Sequence, residues 1–516
     1  MHMRDRTAAE AATTRWAGLA GLIAGLAGLG IAGVTSGITG PGGNPVTAVG
    51  ELVIELLPAP LVNFGKETLG FADKPVLLAL IVVAVLLLCG LAGRLEYRRR
   101  LAGAFVFAGI AVLGLLGVSA QPGITLIGYL PTVLGGVFGY LILGALRDRL
   151  RGWRAASTAD PLDRRRFLTW ILATGAVATA ATIGGQLLAR ATSAVQTARE
   201  RLQLPAAAKP APPVPAGADL GLPELTPYVT DNDNFYRIDT ALQVPVIDPA
   251  DWSLTVTGMV DNPFTLDYAT LAAKPLVEHM VTLTCVSNEV GGDLAGNALW
   301  LGFPLRELLA EARPQRGADM VLSTSDDGWT AGTPLEVLTD PDRQALLAIG
   351  MNGAPLPIEH GFPVRMVVPG LYGYVSATKW VTELKVTTFA ADQGYWTPLG
   401  WSARGPIKIA SRIDRPGGRK LDPGPVVVAG VAWAQHTGIA AVEVQVDGGP
   451  WQRARLAETV GPDTWRQWVF DWAAASGDHT LSVRAIDTNG DLQVAASAPP
   501  APDGATGYHS ISVRVR

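Results

Sequence analysis

The chain has 516 residues, 48% of them hydrophobic and 17% charged, with 41 Lys and Arg against 45 Asp and Glu. That length carries about two to four domains, and so apolar a composition excludes a wholly soluble protein. Two cysteines in all exclude a disulfide-rich scaffold.

The apolar excess lies at the N-terminal end. Five runs, Trp16 to Ile38, Val76 to Ala92, Leu101 to Ala120, Ile124 to Leu146 and Phe167 to Ala189, are each close to the ~20 residues that cross a ~30 Å hydrocarbon layer as helix. The first is Gly/Ala-rich but has no obvious Ala-x-Ala exit and is followed by four more, so it reads as an uncleaved helix. Arg4, Arg6 and Arg15, then Arg94 and Arg98 to Arg100, then Arg147, Arg149, Arg151, Arg154 and Arg164 to Arg166 all fall on one side of these spans. Basic residues beside spans are retained in the cytoplasm, which predicts a multi-pass protein of the cell membrane with its N-terminus inside and everything after about residue 190 extracytoplasmic. Between the first two spans, Val46, Val49, Val53, Leu56 and Leu57 recur at helical spacing and predict a short helix lying on the bilayer. Arg164-Arg165-Arg166-Phe167-Leu168 has the Arg-Arg-x-Phe-Leu form of a twin-arginine export signal, although arginines there also serve as membrane anchors. None of the six histidines lies within a span, so no axial pair for an intramembrane haem is expected. No Cys-x-x-Cys-His attaches a haem elsewhere. The membrane region, residues 1–192, reads as an anchor or a quinone-facing element.

Residues 193–222 include a Pro/Ala-rich stretch from Pro205 to Pro215 and read as a semi-stiff spacer holding the next domain off the membrane. Basic residues outnumber acidic ones before about residue 200, and acidic outnumber basic after it. An acidic outer part is a poor nucleic-acid binder, because affinity there comes from phosphate neutralisation. Over 223–415, Trp252 to Gly258, Met280 to Cys285, Met320 to Thr324, Ala345 to Asn352, Val364 to Val368 and Val381 to Phe389 read as strands, with Leu266 to Ala273 and Pro304 to Ala312 as short helices. This is an irregular α+β domain. Over 420–516, Ala441 to Trp451 is strand, Gly-Gly turn and strand, and the alternation continues through Trp465 to Trp472, His479 to Ile486 and His509 to Arg516, as in an antiparallel sandwich.

Cys285, in Thr282-Leu-Thr-Cys-Val-Ser-Asn-Glu-Val-Gly-Gly292, is the thiol of the outer part, since Cys89 lies in a span. A free cysteine is a buried filler, a nucleophile or a metal ligand. The β-branched approach and the Gly-Gly exit place it at a strand end beside a loop, where a ligand is met.

Several segments, taken in order, resemble the sulfite oxidase family of molybdopterin enzymes. They are Phe235-Tyr-Arg-Ile-Asp239 with Val244-Pro-Val246, Thr284-Cys-Val-Ser-Asn288, Gly296-Asn-Ala-Leu-Trp300, Met351-Asn-Gly-Ala-Pro-Leu-Pro357, His360-Gly-Phe-Pro-Val-Arg365, Pro369-Gly370 and Lys379-Trp380. The resemblance implies an α+β molybdopterin domain followed by an immunoglobulin-like domain used in dimer contacts. It implies a molybdenum cofactor with a single pterin, and Cys285 as thiolate ligand to the metal. Soft sulfur donors suit such a metal. Carried over residue by residue, Phe235, Tyr236, Arg237, Ile238 and Asp239 match the first pterin loop, and His360 and Arg365 match the pair that holds the pterin and its phosphate. Ser376, Ala377, Thr378 and Lys379 match a later contact loop, and Asp326 of the Ser325-Asp-Asp-Gly328 turn matches a further pterin contact. Arg237, Trp300 and Trp401 join Cys285 as the residues of the reacting centre.

The departures bear on substrate. Val290 stands where the family has an arginine after Cys-x-x-Asn, Trp401 where it has its active-site tyrosine, and Asp239 where a histidine follows the arginine. Fewer cations and an added carboxylate weaken a doubly charged anion site. A neutral oxo-acceptor such as a sulfoxide or N-oxide, in a pocket walled by Trp300 and Trp401, is the alternative to sulfite. With no haem motif or cysteine cluster, electrons are expected to pass to or from a separate cytochrome or quinone. Two readings of another class stand beside this one: an exported enzyme with Cys285 as nucleophile and His279 or His360 as base, and a non-catalytic surface protein.

Overall fold

The computed structural model describes residues 2–39, 43–58, 61, 68–69, 72–121, 124–155, 161–191, 194–241, 244–418 and 420–516. They divide into two units, residues 1–193 with 241–243, and residues 194–240 with 244–516.

The first unit is helical: α1 (His2–Thr39), α2 (Pro45–Leu56), α3 (Asp73–Arg98), α4 (Ala102–Ser119), α5 (Leu130–Ala155) and α6 (Pro161–Ala191). Among the described residues four helices are long and apolar enough to cross a membrane, at Thr13–Thr39, Asp73–Arg98, Ala102–Ser119 and Leu126–Arg154. The expected fifth span falls on α6, whose side chains beyond residue 180 lie outside the described residues. The glycines of α1 have a packing purpose: a Cβ at Gly21 would stand 2.0 Å from the Cys89 carbonyl oxygen, and one at Gly28 2.6 Å from that of Gly135. Small residues let helix backbones meet where apolar side chains gain nothing over lipid. Phe167 of the Arg-Arg-x-Phe-Leu segment is buried against Trp16 and Trp153, with ring centroids 6.0 Å and 5.6 Å away. At the end of α3, beyond the apolar run, Glu96 is buried, pairs with Arg147 and accepts the Leu101 and Gly103 N–H groups at 3.2 Å and 2.9 Å. That carboxylate closes the turn into α4.

The second unit begins with α7 (Ala194–Arg201) and an extended segment. Residues 202–222 run along the protein instead of standing free as a spacer. Ala208 N–H donates to Leu276 O at 2.8 Å, Glu278 N–H to Lys209 O at 2.9 Å, and Leu220 N–H to Gln467 Oε1 at 2.7 Å. Composition signals a Pro-rich chain's stiffness but not the acceptors it meets.

The α+β part is built on two sheets. One runs β2 (Phe264–Asp267), β1 (Ser253–Gly258), β10 (Val381–Thr387), β5 (Met320–Ser325), β6 (Thr330–Pro334), with β1 and β10 parallel. The other runs β3 (Val277–Thr284), β4 (Ala295–Pro304), β7 (Leu346–Met351), β8 (Ala354–Pro355), with β9 (Arg365–Val367) also on β7. Helices α8 (Tyr268–Ala272), α9 (Leu305–Ala312) and α10 (Leu335–Thr339) complete it. Along β7 the alternation sends Leu347 and Ile349 into a core shared with β1, β10 and α9, and Leu346 and Ala348 into a second core with Val281, Leu283, Trp300 and Phe235. The second sheet is thus apolar on both faces.

The C-terminal part holds two further sheets, β11 (Ala410–Arg415), β13 (Gly424–Trp433), β17 (Arg466–Ala474), β16 (Arg455–Leu456), and β12 (Lys420–Leu421), β19 (His509–Val515), β18 (Gly477–Asp487), β14 (Ile439–Val446), β15 (Gln452–Arg453). Val428, Trp468 and Trp472 of one and Val442, Val444, Leu481 and Val513 of the other share one core. This part is joined to the α+β part by polar contacts. Asp463 accepts from His279 at 2.7 Å and His436 at 3.2 Å, and Trp465 Nε1–H donates to Tyr228 O at 2.8 Å. The two imidazoles hold the buried Asp463 carboxyl down at about 2 against the opposing effect of burial.

Candidate active site

Cys285 follows directly on β3, its N–H donating to Leu294 O at 2.9 Å, so the loop 285–294 leaves and rejoins the sheet. It shares the parity of Val281 and Leu283, which face the core containing Phe235 and Trp300. Burial pushes the Cys285 thiol up, and the Ser287 N–H, 3.4 Å from Sγ, opposes that. Such a thiol is a poor free nucleophile, and a metal ion is the partner that would hold it as thiolate.

Around it stand the segments singled out in the sequence. Phe235 stacks on Tyr236 with centroids 5.2 Å apart and meets Trp300 and His360 edge-on at 5.7 Å and 5.5 Å. A Cβ at Gly296 would lie 2.6 Å from the Phe235 ring, which accounts for glycine there. The Tyr236 phenol is pushed well up, by burial first and by the Cys285 thiolate next, while Arg365 pulls it down, which puts it within electrostatic range of both. Arg365 is buried, donates to His360 O at 3.0 Å, Met366 O at 3.3 Å and Ala377 O at 3.4 Å, and lies 5.1 Å over the Trp300 ring. Burial lowers its guanidinium to about 10. His360 accepts no proton readily: burial, then Arg365 and Lys379, bring it down to about 4, and its Nε2 lies 3.2 Å from Asn232 O. At neutral pH it is a neutral donor to that carbonyl. Lys379 Nζ donates to Asp239 Oδ2 at 2.8 Å and Glu359 O at 3.0 Å, and Arg237 Nε reaches the same Asp239 oxygen at 2.9 Å.

The other candidates divide. Ser376 and Thr378 are fully buried and spend their hydroxyls internally, on Tyr372 O at 2.9 Å and Ser323 Oγ at 2.6 Å, so only their backbone is placed for a ligand. Ala377 contributes its carbonyl to Arg365. Ile238 is exposed, and Asp326 sits in an exposed turn with its N–H on Trp380 O at 2.9 Å. Trp401 packs against Tyr374 and Trp396, with centroids 5.9 Å and 6.2 Å away, and shares no ring contact with Trp300 among the described residues. His279 is no base for Cys285: five residues of β3 lie between them, about 20 Å of strand.

Three features escaped the sequence reading. β4, the partner of the cysteine strand, mixes glycine, asparagine and apolar residues without alternation. Asn297 Nδ2 donates to Tyr228 O at 2.8 Å, and Asn352 Nδ2 donates to Thr230 O at 2.9 Å and Asn232 Oδ1 at 2.8 Å. These two amides shape the loop that carries Phe235 to Asp239. Tyr372 is buried, and its phenol is raised to about 12 by burial first, with Asp503 and the Cys285 thiolate adding to it.

Comparison with known proteins agrees with this geometry. A family model described as the oxidoreductase molybdopterin binding domain matches residues 241–396. The uncharacterized oxidoreductase YuiH of Bacillus subtilis is 34% identical over 158 residues, which cover 31% of this chain and 76% of that one. Human mitochondrial sulfite oxidase is 29% identical over 323 residues, 53% of this chain and 58% of its own. The chain belongs to the sulfite oxidase family. Sulfite oxidase of Arabidopsis thaliana is 28% identical over 326 residues, 52% of this chain and 82% of that one. The sulfane dehydrogenase SoxCD of Paracoccus pantotrophus shares the fold, with a TM-score of 0.50 at 22% identity over 56% of this chain and 82% of its own. The chain spans 58% of the length of the human relative. As a sulfite oxidase family member it is a molybdopterin-dependent oxidoreductase.

The residues present fit that cofactor: a buried thiol at a strand end, with Arg365, Lys379, His360 and Arg237 gathered behind it. Burial lowers the Lys379 ammonium to about 8, with Asp239 opposing. A phosphate partner prefers the charged amine, so pterin retention is expected to be tight below pH 8 and to weaken as pH rises through it. His360, titrating near 4, does not contribute in that window. Lys379→Gln should flatten the profile and lower retention about tenfold, the size of one charge-assisted hydrogen bond, read by fluorescence of released oxidised pterin. A Gln variant with the parent's pH profile would remove Lys379 from the phosphate site.

Proposed function

We propose that the protein is a membrane-anchored molybdenum oxidoreductase that transfers an oxygen atom at an extracytoplasmic site in which Cys285 is the thiolate ligand. The observation that carries this reading is the buried Cys285 at the end of β3, with the parity of Val281 and Leu283 toward the core of Phe235 and Trp300, and Arg365 5.1 Å over the Trp300 ring. When bound, the cofactor supplies two-electron redox chemistry at a metal that accepts or gives an oxo group. The chain's own residues do the rest. Phe235, Tyr236, Arg237, Ile238, Asp239, Asp326, His360, Arg365 and residues 376–379 would hold the pterin, with Lys379 and Arg365 meeting its phosphate. Arg365, desolvated and fixed by three carbonyls, needs no rearrangement to meet an anion. Arg237 and Trp300 stand on the substrate side, and Trp401 supports it through Tyr374.

In the oxidising direction the balance is substrate plus water giving oxo-product, two protons and two electrons, the electrons leaving one at a time to a cytochrome or as a pair to a quinone. The reverse reaction is reduction of a sulfoxide or N-oxide. The Arg-rich side of the helices and the four apolar helices support a multi-pass anchor with the N-terminus cytoplasmic. The C-terminal sheets, read as an immunoglobulin-like domain, are the dimerising part. Molybdenum and pterin analysis of the detergent-purified protein tests the reading: about one of each per chain supports it, and neither at detectable level sinks it.

A further inference from the structure

Two of the cations gathered at the cofactor site share one carboxylate. Asp239 Oδ2 accepts from Lys379 Nζ at 2.8 Å and from Arg237 Nε at 2.9 Å, and the Asp239 side chain is 5% exposed. We propose that Asp239 is a positioning residue of the phosphate site, acting not on the phosphate itself but as the counter-ion that holds the Lys379 ammonium in place. The inference rests on the molybdopterin reading of this site and deepens it.

An ionised carboxylate offers acceptors alone and has the same sign as a phosphate, so the two do not bind each other. What Asp239 can do is hold a donor. The chain builds that donor's place from three segments. In the turn Ile358–His360 the three successive carbonyls accept from Trp380 Nε1 at 2.9 Å, Lys379 Nζ at 3.0 Å and Arg365 Nη1 at 3.0 Å. The turn ends at Gly361, with a φ of 107°, where a Cβ would stand 3.0 Å from the Arg365 Cβ and 3.1 Å from the Lys379 Cα. Glycine there lets both basic residues close on the turn. Asp239 brings in the remaining segment, the loop 235–239, and Nζ also lies 4.5 Å over the Trp380 ring. The ammonium thus gives one proton to Asp239 and one to Glu359 O, and keeps its third for a ligand.

Burial is the reason a counter-ion is needed. The Lys379 side chain is 10% exposed, and a buried ammonium without a partner gives up its proton. The other groups facing it do not favour the charge: Arg365 and Arg237 oppose it, His360 is neutral at pH 7, and Glu359 presents its carbonyl. Asp239 is the group that favours it. Arg237, 44% exposed, is kept charged by water, so the carboxylate matters most to the lysine. Three cations and one carboxylate leave a net of two positive charges, which matches a phosphate that carries nearly two negative ones.

The test is pterin retention against pH in the full-length holoprotein in detergent, read as fluorescence of the oxidised pterin that stays with the protein on gel filtration between pH 6 and pH 9. Asp239→Asn keeps the shape and one hydrogen bond but removes the charge. Loss of an opposite charge at this distance lowers a lysine by about one unit or more, so the fall in retention should move from about pH 8 to about pH 7. At pH 8 the variant should hold about fivefold less pterin than the parent, with about a tenth of its ammonium charged instead of about half. At pH 6, where Lys379 is charged in both, it should hold as much as the parent or more, because a like charge has been taken from beside the phosphate. The two curves therefore cross, whereas a loss of packing would lower retention at every pH. Asp239→Glu, which keeps the carboxylate, should return the midpoint toward the parent's. In a Lys379→Gln background Asp239→Asn should lower retention at no pH. An equal loss at pH 6 and pH 8, or an unmoved midpoint in Asp239→Asn, would overturn the role of Asp239 in a parent that carries pterin. A parent without pterin would overturn the reading of the site itself, and this inference with it.

Discussion

Cys285→Ser is expected to fold as the parent does and to lose oxygen-atom transfer by at least about a hundredfold, since even indirect support of a metal ligand is worth 10–100-fold. The side chain is buried, and the exchange of sulfur for oxygen barely alters its volume, so far-UV circular dichroism and the thermal midpoint should change little. What changes is the donor. A serine hydroxyl is far harder to deprotonate than a thiol and is a hard ligand, where the metal favours sulfur. Molybdenum content and the Mo(V) electron paramagnetic resonance spectrum read the difference directly, because a thiolate sulfur and an alkoxide oxygen give distinct signals. A variant with parental activity and an unaltered spectrum would refute the assignment. Alkylation discriminates further: the loaded parent should resist a thiol reagent that modifies its cofactor-free form.

Arg365→Met should be the most damaging single change outside the metal ligand. Arg365 is 5% exposed and gives its protons to the carbonyls of His360, Met366 and Ala377. Methionine matches its length but leaves three buried acceptors without a donor, a destabilisation of about 3–5 kcal/mol. It also removes the charge proposed to meet the phosphate. Pterin content below about a tenth of the parent's is the expected result, together with a lower thermal midpoint. Arg365→Lys separates the two effects. It retains the charge but its ammonium cannot span three carbonyls as the planar fork does, so it should keep the fold and recover only part of the cofactor. Full pterin content in Arg365→Met would show that the phosphate is held elsewhere.

Much of this was legible in the chain itself. Runs near the ~20-residue bilayer length showed the helices, short β-rich runs showed β1, β5, β7 and β10, and an ordered set of short segments showed the family. Patterns of this kind are local, and each reports on a residue's own backbone and its immediate neighbours. Other features are settled by partners distant in sequence. The Pro/Ala-rich stretch after α7 and the residues that follow it are no free spacer, because Leu276, Glu278 and Gln467 supply their hydrogen-bond partners across the fold. Strand β4 carries no alternation of its own and is held in place by β3 and β7 on either side. Trp401, which the resemblance puts at the family's active-site tyrosine, packs on Trp396 and Tyr374, and its own position in the chain does not announce the contact with Tyr374.

By itself, then, the sequence determined the family, through its ordered short segments, and the apolar helices, since each depends on residue type at fixed spacing. Only the tertiary structure decided which charges remain available. Arg412 and Lys408 are neutralised by carboxylates near them, and Arg365 is committed to three carbonyls. Electrostatic preference for a substrate is a sum over groups that folding brings together or cancels in pairs, and no spacing along the chain contains that sum.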